Sequence, residues 1–379
     1  MKIGIDCRTI LNPKGGEGAG VGHYTYYLVQ SLLEHDRKNS YTLFFDRRLP
    51  DISSFTRPNV AVKYFPFSQY NRFLPFAYSH MLITAYLMKE RLDVFHSPIT
   101  SVPLTYPKKT VVTVHDLAIY KNPAWFPSQI FSTKLLVPRS LKSADRVIAV
   151  SESTKHDLQD MFNIPSRKMK VIYEGVDVKK IPLKSKKFDS VDSFKLSKKY
   201  IFFVGTLEPR KNLVTLLRAY KKLLQWGGVF PGYQLALAGA KGYKSEEVFA
   251  AIKALGLGRN IKYLGYVTHN QKIDLIKRAA CFVFPSSYEG FGLPVLEAMA
   301  LGTPVATSNI SSLPEVAGKA ALLFDPEKEQ TIANALRKIL SDNKLRTRLS
   351  QAGMARAGQF SWERCARETV KVYESLRSK

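Results

Sequence analysis

One stretch decides the predicted fold of this chain: Ser286-Ser287-Tyr288-Glu289-Gly290-Phe291-Gly292-Leu293-Pro294-Val295-Leu296-Glu297. An apolar run at residues 281–285 precedes it and predicts a short buried strand. Pro294 suits the first turn of a helix, because its missing N–H costs nothing there, and Gly302 is a natural stop. The stretch therefore predicts a strand, a glycine loop and a helix N-terminus.

A helix N-terminus behind a glycine loop suits a phosphate, because unpaired backbone N–H groups and the positive end of the helix dipole point to one place. Two carboxylates, Glu289 and Glu297, bracket that place in the sequence. A carboxylate would repel a bare phosphate, but it accepts hydrogen bonds from hydroxyl groups. The pattern therefore favours a nucleotide-sugar, which carries hydroxyls on both sides of a diphosphate. It also fits an ordinary glycine loop that binds nothing.

The composition indicates a globular protein of 379 residues, 45% of them hydrophobic and 23% charged. Three cysteines, Cys7, Cys281 and Cys365, are too far apart for a disulfide framework or a metal-ligand motif. The first residues, 1–6, reach charged and glycine residues too early for a signal peptide. No run of about 18 apolar residues predicts a membrane span. We therefore expect a cytoplasmic location.

The chain carries a net charge of +26, from 57 basic and 31 acidic residues spread over both halves. Nucleic acid, an anionic membrane face and anionic substrates are compatible partners, and a basic proteome background is the plain alternative. The segment 64–88 is rich in aromatic residues. Arg72 interrupts it, and Lys89 and Arg91 follow it directly. It fits an ordinary core helix, or a surface helix at lipid headgroups or a lipid-linked acceptor. Peripheral attachment to the inner face of the cell membrane is therefore a further expectation.

Strand and helix patterns alternate along the chain, which predicts an α/β protein with parallel sheets and helices on both faces. A polar stretch at 184–199 marks a change of composition. We therefore predict two doubly wound, Rossmann-like domains: an acceptor-side domain at 1–182 and a nucleotide-sugar-binding domain at 199–360, joined by a linker at 183–198. Two such domains would face a deep cleft, with ligands at the carboxyl ends of the strands.

Further candidate residues follow predicted strands directly. His115 ends the β-branched strand 109–114, where ligands bind in sheets of this kind, although such a histidine is often structural. Arg210 and Lys211 follow the strand 199–204 and would clamp a diphosphate, or else form a solvated basic turn.

A glycine-rich loop near the start holds Gly15, Gly16, Gly18, Gly20 and Gly22, before a helix predicted at 23–34. G-x-G-x-x-G is absent in every frame and the loop is too long for a tight dinucleotide turn, which disfavours a dehydrogenase. A loop over a second substrate fits better, because glycine lets the backbone approach a ligand closely.

Together these motifs resemble a retaining glycosyltransferase of family four, with the GT-B fold: Val204-Gly205-Thr206-Leu207-Glu208-Pro209-Arg210-Lys211-Asn212-Leu213, and Glu289 and Glu297 in an E-x7-E pattern. Matches extend over nearly the whole chain, at Gly20-Val21-Gly22, His115-Asp116, residues 145–151, Gly175-Val176-Asp177 and Leu313-Pro314-Glu315-Val316. In that fold the last helix, here within 361–379, crosses back to pack on the first domain.

The resemblance implies roles for single positions. Arg210 and Lys211 would hold the donor diphosphate, Glu289 would bind sugar hydroxyls near the reacting carbon, and Glu297 would bind the ribose. His115 would contact the sugar from the first domain, which makes it catalytic together with Glu289, Arg210 and Lys211. The full predicted donor-binding set is Gly20, Gly22, Gly205, Thr206, Arg210, Lys211, Glu289, Phe291, Gly292, Leu293 and Glu297.

The sequence Thr206-Leu207-Glu208-Pro209 resembles that of bacterial mannosyltransferases of polysaccharide and O-antigen assembly. This resemblance implies GDP-mannose as donor, and a UDP- or dTDP-sugar is the alternative. The acceptor would be a saccharide or a lipid-linked saccharide. Thr206 stands where some family members carry arginine, so phosphate binding would rest more on Arg210 and Lys211. D-x-D is absent from the sequence, so we predict no metal and no cofactor, the nucleotide-sugar being a substrate.

Two other classes remain open. A nucleic-acid-binding protein would explain the charge, but the sequence has no helix-turn-helix, RNP or zinc pattern, and we predict no nucleic-acid partner. A glycosidase would use two carboxylates as acid and base, but it has no need of Arg210 and Lys211 beside a helix terminus.

Overall fold

The computed structural model describes residues 1–10, 20–46, 51–65, 76–126, 130–176, 190–228 and 230–377. It divides the chain into two compact units. Unit 1 consists of Met1–Tyr120, Ser128–Gly175 and Ser361–Lys379, and unit 2 consists of Lys121–Pro127 and Val176–Phe360.

The described residues contain thirteen strands and fourteen α-helices. The strands are β1 (Lys2–Asp6), β2 (Ser40–Phe45), β3 (Val60–Tyr64), β4 (Val94–Ser97), β5 (Lys109–Val114), β6 (Arg146–Ala149), β7 (Met169–Val171), β8 (Tyr200–Val204), β9 (Gln234–Ala238), β10 (Ile261–Gly265), β11 (Cys281–Phe284), β12 (Val305–Ser308) and β13 (Leu322–Phe324). The helices are α1 (Gly20–His35), α2 (Phe76–Met88), α3 (Ala118–Lys121), α4 (Ile130–Ser143), α5 (Glu152–Phe162), α6 (Ser190–Ser193), α7 (Leu213–Gln225), α8 (Ser245–Ala254), α9 (His269–Arg278), α10 (Leu293–Ala300), α11 (Leu313–Ala317), α12 (Glu329–Ser341), α13 (Asn343–Ala357) and α14 (Trp362–Glu374).

The sheet of unit 1 has the strand order β3-β2-β1-β4-β5-β6-β7, with parallel pairing throughout. Its central strands are short apolar runs buried on both faces, as parallel sheets covered by helices require. The order reverses between β1 and β4. This reversal is the topological switch point, outside whose carboxyl ends doubly wound sheets bind ligands.

The sheet of unit 2 repeats this arrangement with the order β10-β9-β8-β11-β12-β13, again parallel. Its switch point lies between β8 and β11. Helix α7 buries Leu216, Leu217, Tyr220 and Leu223 at helical spacing. The prediction of an α/β fold with two doubly wound parallel sheets is confirmed.

Helix α1 begins at Gly20, earlier than the residue 23 predicted from the sequence. Gly20 and Gly22 therefore lie in the first turn of a helix, and their assignment to the preceding loop is wrong. A Cβ on Gly22 would lie only 2.6 Å from the carbonyl oxygen of Thr9, so close packing of the backbone explains this glycine. The other glycines of the predicted loop lie outside the described residues.

Helix α14 belongs to unit 1 and packs along α1. The Trp362 ring stacks on Tyr27, with centroids 5.5 Å apart and an angle of 16° between the planes. A Cβ on Gly175 would lie 2.2 Å from the backbone nitrogen of Trp362, so only glycine fits there. Near the end of the helix, the Tyr373 hydroxyl hydrogen-bonds Nδ1 of buried His96 at 2.6 Å.

The segment between the two sheets differs in detail from the predicted linker. Residues 177–189 lie outside the described residues, and the described part of the linker begins with α6, which belongs to unit 2. Lys121–Pro127 also belongs to unit 2, although the predicted first domain includes it. A compact unit is defined by packing, which chain order does not show.

Candidate active site

Two loops leave the switch point of unit 2 and form the candidate active site. The loop after β8 contains a 3₁₀ turn, Pro209–Lys211, and the loop after β11 contains Glu289. The backbones are joined directly, because the Ser287 N–H donates to the carbonyl oxygen of Arg210 at 2.8 Å. Two motifs far apart in sequence are therefore neighbours in unit 2.

Arg210 bridges these loops through its guanidinium group. Nη1 donates to the carbonyl oxygen of Tyr288 and to Oε2 of Glu289, each at 3.0 Å. Nη2 donates to Oε1 of Glu208 at 2.9 Å. The planar fork is thus held in one orientation by acceptors from both loops.

Lys211 and Glu289 form a buried ion pair at the same place. Lys211 Nζ donates to Oε1 of Glu289 and lies 5.1 Å from the centroid of the Phe284 ring. Burial lowers the pKa of Lys211, against the opposing effect of the Glu289 charge. Burial alone would raise the pKa of Glu289, but the charges of Arg210 and Lys211 outweigh it and bring that pKa to about 2. Glu289 is therefore ionised at neutral pH and can accept hydrogen bonds but not donate a proton.

The Glu289 backbone is fixed by two serines that precede α11. The Glu289 N–H donates to Oγ of Ser311 at 2.9 Å, and that hydroxyl reaches back to the Glu289 carbonyl oxygen at 2.9 Å. The Ser312 hydroxyl contacts the carbonyl oxygens of Glu289 and Phe291 at 2.9 and 2.8 Å. The glycine loop is therefore a rigid element of unit 2.

Helix α10 begins directly behind this loop. Gly292 has a φ of 110°, and a Cβ there would lie 2.7 Å from Cδ2 of Leu313. Backbone conformation and lack of space thus both require glycine. Pro294 lies in the first turn, as predicted. Pro294 has no N–H, and the Val295 and Leu296 N–H groups donate to the Gly292 carbonyl oxygen at 3.0 and 3.2 Å, so this end of α10 offers an anion the positive end of the helix dipole and the Leu293 N–H.

Glu297 lies further along α10 and is also buried. Lys272 Nζ, from the first turn of α9, donates to its Oε1 at 2.6 Å. His269 starts the same helix, and its pKa is lowered by burial and by the Lys272 charge, against the opposing charge of Glu297. Glu297 therefore sits in a second charged group of its own, separate from the pair at Glu289.

Gly205 and Thr206 are less suited to direct donor contacts than the sequence suggested. The Gly205 N–H donates to the carbonyl oxygen of Ala238 at 3.0 Å, so this amide is already used within the protein. A Cβ on Gly239, whose φ is 134°, would lie 2.0 Å from the carbonyl oxygen of Gly205. Thr206 is exposed. The glycines here allow two backbones to pack, and their roles toward a donor remain predictions.

His115 of unit 1 follows β5, at the carboxyl edge of the other sheet. Its Nε2 lies 2.9 Å from the carbonyl oxygen of Pro98, and its Nδ1 lies 3.1 Å from Oε1 of Glu174. A carbonyl oxygen can only accept, so Nε2 is the donor to Pro98. The rings of Tyr24 and His115 pack edge to face, with their centroids 4.6 Å apart. Both ring nitrogens are thus engaged inside unit 1.

Sequence reasoning missed several side chains that hold the predicted ones in place: Glu208, Lys272, Ser311, Ser312 and Glu174. Glu208 was quoted within a motif without a role, and Glu174 directly precedes one. The other three carry no sequence signal, because their partners lie on separate elements. Their contacts exist only once the sheets are assembled.

Two broader properties concern the described part of the chain. No helix there has the length and apolar character needed to cross a bilayer. No group of three or more His, Cys, Asp or Glu side chains is arranged there as metal ligands usually are.

The sequence matches known proteins over both units. The family described as Glycosyltransferase Family 4 matches residues 18–180, and the one described as Glycosyl transferases group 1 matches residues 185–356. O-antigen chain mannosyltransferase B of Escherichia coli is 30% identical over 369 residues, 94% of this chain and 96% of that protein. The chain belongs to glycosyltransferase family 4.

Solved structures agree with the GT-B fold expected for this family 4 glycosyltransferase. Sucrose-phosphate synthase from Thermosynechococcus elongatus superposes with a TM-score of 0.79 at 22% identity, covering 99% of both chains. HepE of Anabaena in complex with UDP-glucose gives a TM-score of 0.73 at 19% identity, covering 99% of this chain and 100% of HepE. These likenesses concern the fold, whose prediction as GT-B is confirmed.

Proposed function

We propose that this glycosyltransferase moves mannose from GDP-mannose to a saccharide or lipid-linked acceptor in cell-surface polysaccharide synthesis, with retention at the anomeric carbon. The observation that carries the proposal is the cluster of Arg210, Lys211 and Glu289 beside the N-terminus of α10. Two cations and a helix N-terminus suit a diphosphate, and an ionised carboxylate suits sugar hydroxyls. The likeness to O-antigen chain mannosyltransferase B supports mannose, and the UDP-glucose complex of HepE motivates the alternative of a UDP- or dTDP-sugar.

The proposed reaction is limited by charge separation. The sugar becomes oxocarbenium-like while the departing diphosphate gains negative charge. Arg210 and Lys211 would stabilise that charge without reorganising, because Glu208, Glu289 and the neighbouring backbone already hold them in place. Preorganised donors of this kind typically contribute about 3–4 kcal/mol each to transition-state stabilisation.

Glu289 would orient the sugar and not attack it. Its carboxylate is ionised and shares both oxygens with cations, which reduces its nucleophilicity. This favours front-face displacement over a covalent step. The bond from the anomeric carbon to the diphosphate oxygen breaks, the bond to the acceptor oxygen forms on the same face, and the acceptor proton passes to a diphosphate oxygen.

We also propose that catalysis needs no metal and no cofactor. Arg210 and Lys211 supply the positive charge that a metal ion would otherwise bring to the diphosphate. Two proposals remain. A cytoplasmic location rests on the three widely separated cysteines, and contact with the inner face of the membrane rests on the net charge and the aromatic segment 64–88. Residues 66–75 of that segment lie outside the described residues.

A nucleotide-release assay with GDP-mannose, UDP-glucose and a dTDP-sugar tests the proposal. We expect sugar-dependent release of GDP from GDP-mannose that survives EDTA, and an α-linked product by NMR from the α-linked donor. If only UDP-glucose or only the dTDP-sugar released its nucleotide, that sugar nucleotide would replace GDP-mannose as the proposed donor. Hydrolysis of a glycoside without nucleotide release would refute it.

A further inference from the structure

A second charged site lies at the other edge of the unit 1 sheet. A cavity of about 480 Å³ opens between the start of β6 and the 3₁₀ turn Ser166–Lys168 that precedes β7. His115 follows the carboxyl end of β5, so the cavity and His115 lie at opposite edges of one parallel sheet. The cavity is therefore unrelated to the ligand-binding edge of that unit.

Four basic side chains line this cavity: Lys142, Arg146, Arg167 and Lys168. Among the described residues, none of the four has a carboxylate within salt-bridge distance. The acidic residue of the lining, Asp145, is already occupied on both oxygens: Lys109 Nζ donates to Oδ1 at 3.1 Å, and the Thr110 N–H donates to Oδ2 at 2.9 Å. The lining therefore holds four cations and one carboxylate, and that carboxylate is also bound by Lys109.

Backbone acceptors hold two of these cations in place. Lys168 Nζ donates to the carbonyl oxygen of Lys142 at 2.6 Å, and Arg146 Nη1 donates to the carbonyl oxygen of Asp145 at 3.0 Å. Burial lowers the pKa of Lys168, the Asp145 charge opposes this, and the Arg146 charge adds a smaller lowering effect. An anion in the cavity would add negative charge beside four cations that share the one carboxylate of the lining.

We propose that this cavity binds a phosphate group, either as a free phosphate or as the headgroup of an anionic lipid. Arginine offers a planar fork and lysine a point charge to phosphate oxygens, and both are present. The Asn163 side chain, from the residue that ends α5, adds a neutral donor at the rim. The site is independent of the proposed donor site in unit 2.

The double variant Arg146→Gln/Lys168→Gln tests the proposal against Lys253→Gln/Arg259→Gln, which removes two exposed charges from unit 2. Thermal unfolding is measured in sodium chloride and in sodium phosphate at equal ionic strength. In chloride, the melting temperature of each protein is the reference for its own phosphate shift. In phosphate, the cavity variant should lose part of the upward shift that wild type and the control variant share. Equal phosphate shifts in all three proteins would overturn the proposal.

Vesicles distinguish the two sources of the phosphate group. Sedimentation is measured with phosphatidylcholine alone and with an equimolar mixture of phosphatidylcholine and phosphatidylglycerol. Binding to the mixture that the cavity variant loses and the control keeps identifies a lipid headgroup; a phosphate shift without vesicle binding identifies free phosphate. GDP-mannose turnover should be equal in all three proteins, so loss of turnover in the cavity variant alone would contradict the assignment to a separate site.

Discussion

The two units of this glycosyltransferase share a strand order but not the chemistry at their carboxyl edges. In unit 2 the switch-point loops bring two cations to one carboxylate, Glu289, beside a helix N-terminus. In unit 1 the His115 imidazole is closed between Glu174 and the Pro98 carbonyl oxygen. In unit 2, carboxylates hold two cations in place beside a helix N-terminus, whereas in unit 1 both ring nitrogens of the imidazole are bound by groups of the protein. A shared topology thus provides the place, while individual side chains decide what it can bind.

The two units also differ in the charge state of their buried polar groups. In unit 2, Glu289 is the counter-ion of Arg210 and Lys211 while no diphosphate is bound. In unit 1, burial lowers the pKa of His96 to about 3, with a smaller contribution from neighbouring His115. Unit 2 therefore depends on charge, and unit 1 depends on keeping an imidazole neutral.

Removing the carboxylate at the centre of the unit 2 cluster should have the largest effect. Glu289→Gln leaves buried Lys211 without its carboxylate partner and Arg210 with Glu208 alone, and breaking a buried pair typically costs about 3–5 kcal/mol of unfolding free energy in urea. GDP should then stabilise the variant more than it stabilises wild type. The control Glu247→Gln breaks an exposed pair with Lys244 and should cost under about 1 kcal/mol. Equal costs for both variants would show that the buried cluster is not special.

Removing a cation from that cluster should mainly affect turnover. Lys211→Ala should lower turnover of GDP-mannose by about 10²–10³, since one preorganised donor to the leaving diphosphate is lost. Lys338→Ala, on the exposed side of α12, is the matched control and should leave turnover unchanged. Near-normal turnover of Lys211→Ala, with the fold intact, would remove this residue from the proposed mechanism.

The contact between His115 and Glu174 in unit 1 can be weakened with the variant Glu174→Gln. The amide keeps the shape but not the charge, so unfolding free energy should fall by about 1–3 kcal/mol, while GDP affinity stays unchanged. Nitrogen NMR of the histidines should show a shift of the His115 Nδ1 resonance, because an amide replaces its carboxylate partner. Glu152→Gln on the exposed part of α5 should change neither the unfolding free energy nor this resonance. An unchanged His115 Nδ1 resonance in Glu174→Gln would contradict the contact between these side chains.

Acid should weaken the two units in different pH ranges. His96 has a pKa of about 3 in the folded protein and about 6.5 when unfolded. Between these pH values only the unfolded state binds the proton. The unfolding free energy therefore decreases by about 1.4 kcal/mol for each pH unit that the solution is acidified below about pH 6.5. Glu289, with a folded pKa of about 2 and a usual value of 4.5, loses its contribution only below about pH 4.5.

Amide hydrogen exchange can measure this difference. On going from neutral pH to about 5.5, protection in β4, β5 and α14 should fall about tenfold after correction for intrinsic exchange, while β8 and β11 change little. His96→Gln should abolish the difference between the two pH values. Equal losses in both sheets would contradict an origin at His96.

The smallest effect is expected at the second glutamate of unit 2. Lys272→Gln removes a partly exposed partner of Glu297, so KM for the nucleotide-sugar should rise about twofold with kcat unchanged. Glu297→Ala should raise KM much more, because the proposed acceptor for ribose hydroxyls is lost. A change in kcat for either variant would break the proposed division of roles between Glu297 and Glu289.

Sequence periodicity was sufficient for the architecture because it reports on burial. Parallel strands buried on both faces read as apolar runs, and α7 reads as an amphipathic stripe, so the two doubly wound sheets were predictable. The start of α1 was not, since glycines favour a loop in sequence. The packing of Gly22 against Thr9 that permits the helix is visible only in space.

By itself, the sequence determined the alternation of strands and helices, the motifs at the strand ends and, through the strand-order rule, the edge on which they meet. Only the tertiary structure decided how Arg210 and Lys211 divide the oxygens of Glu289, that Lys272 pairs with Glu297, and that His115 is closed by Glu174. The reason is physical: periodicity along the chain records which face is buried, whereas pairing and protonation depend on distances between side chains that only assembled sheets bring within reach.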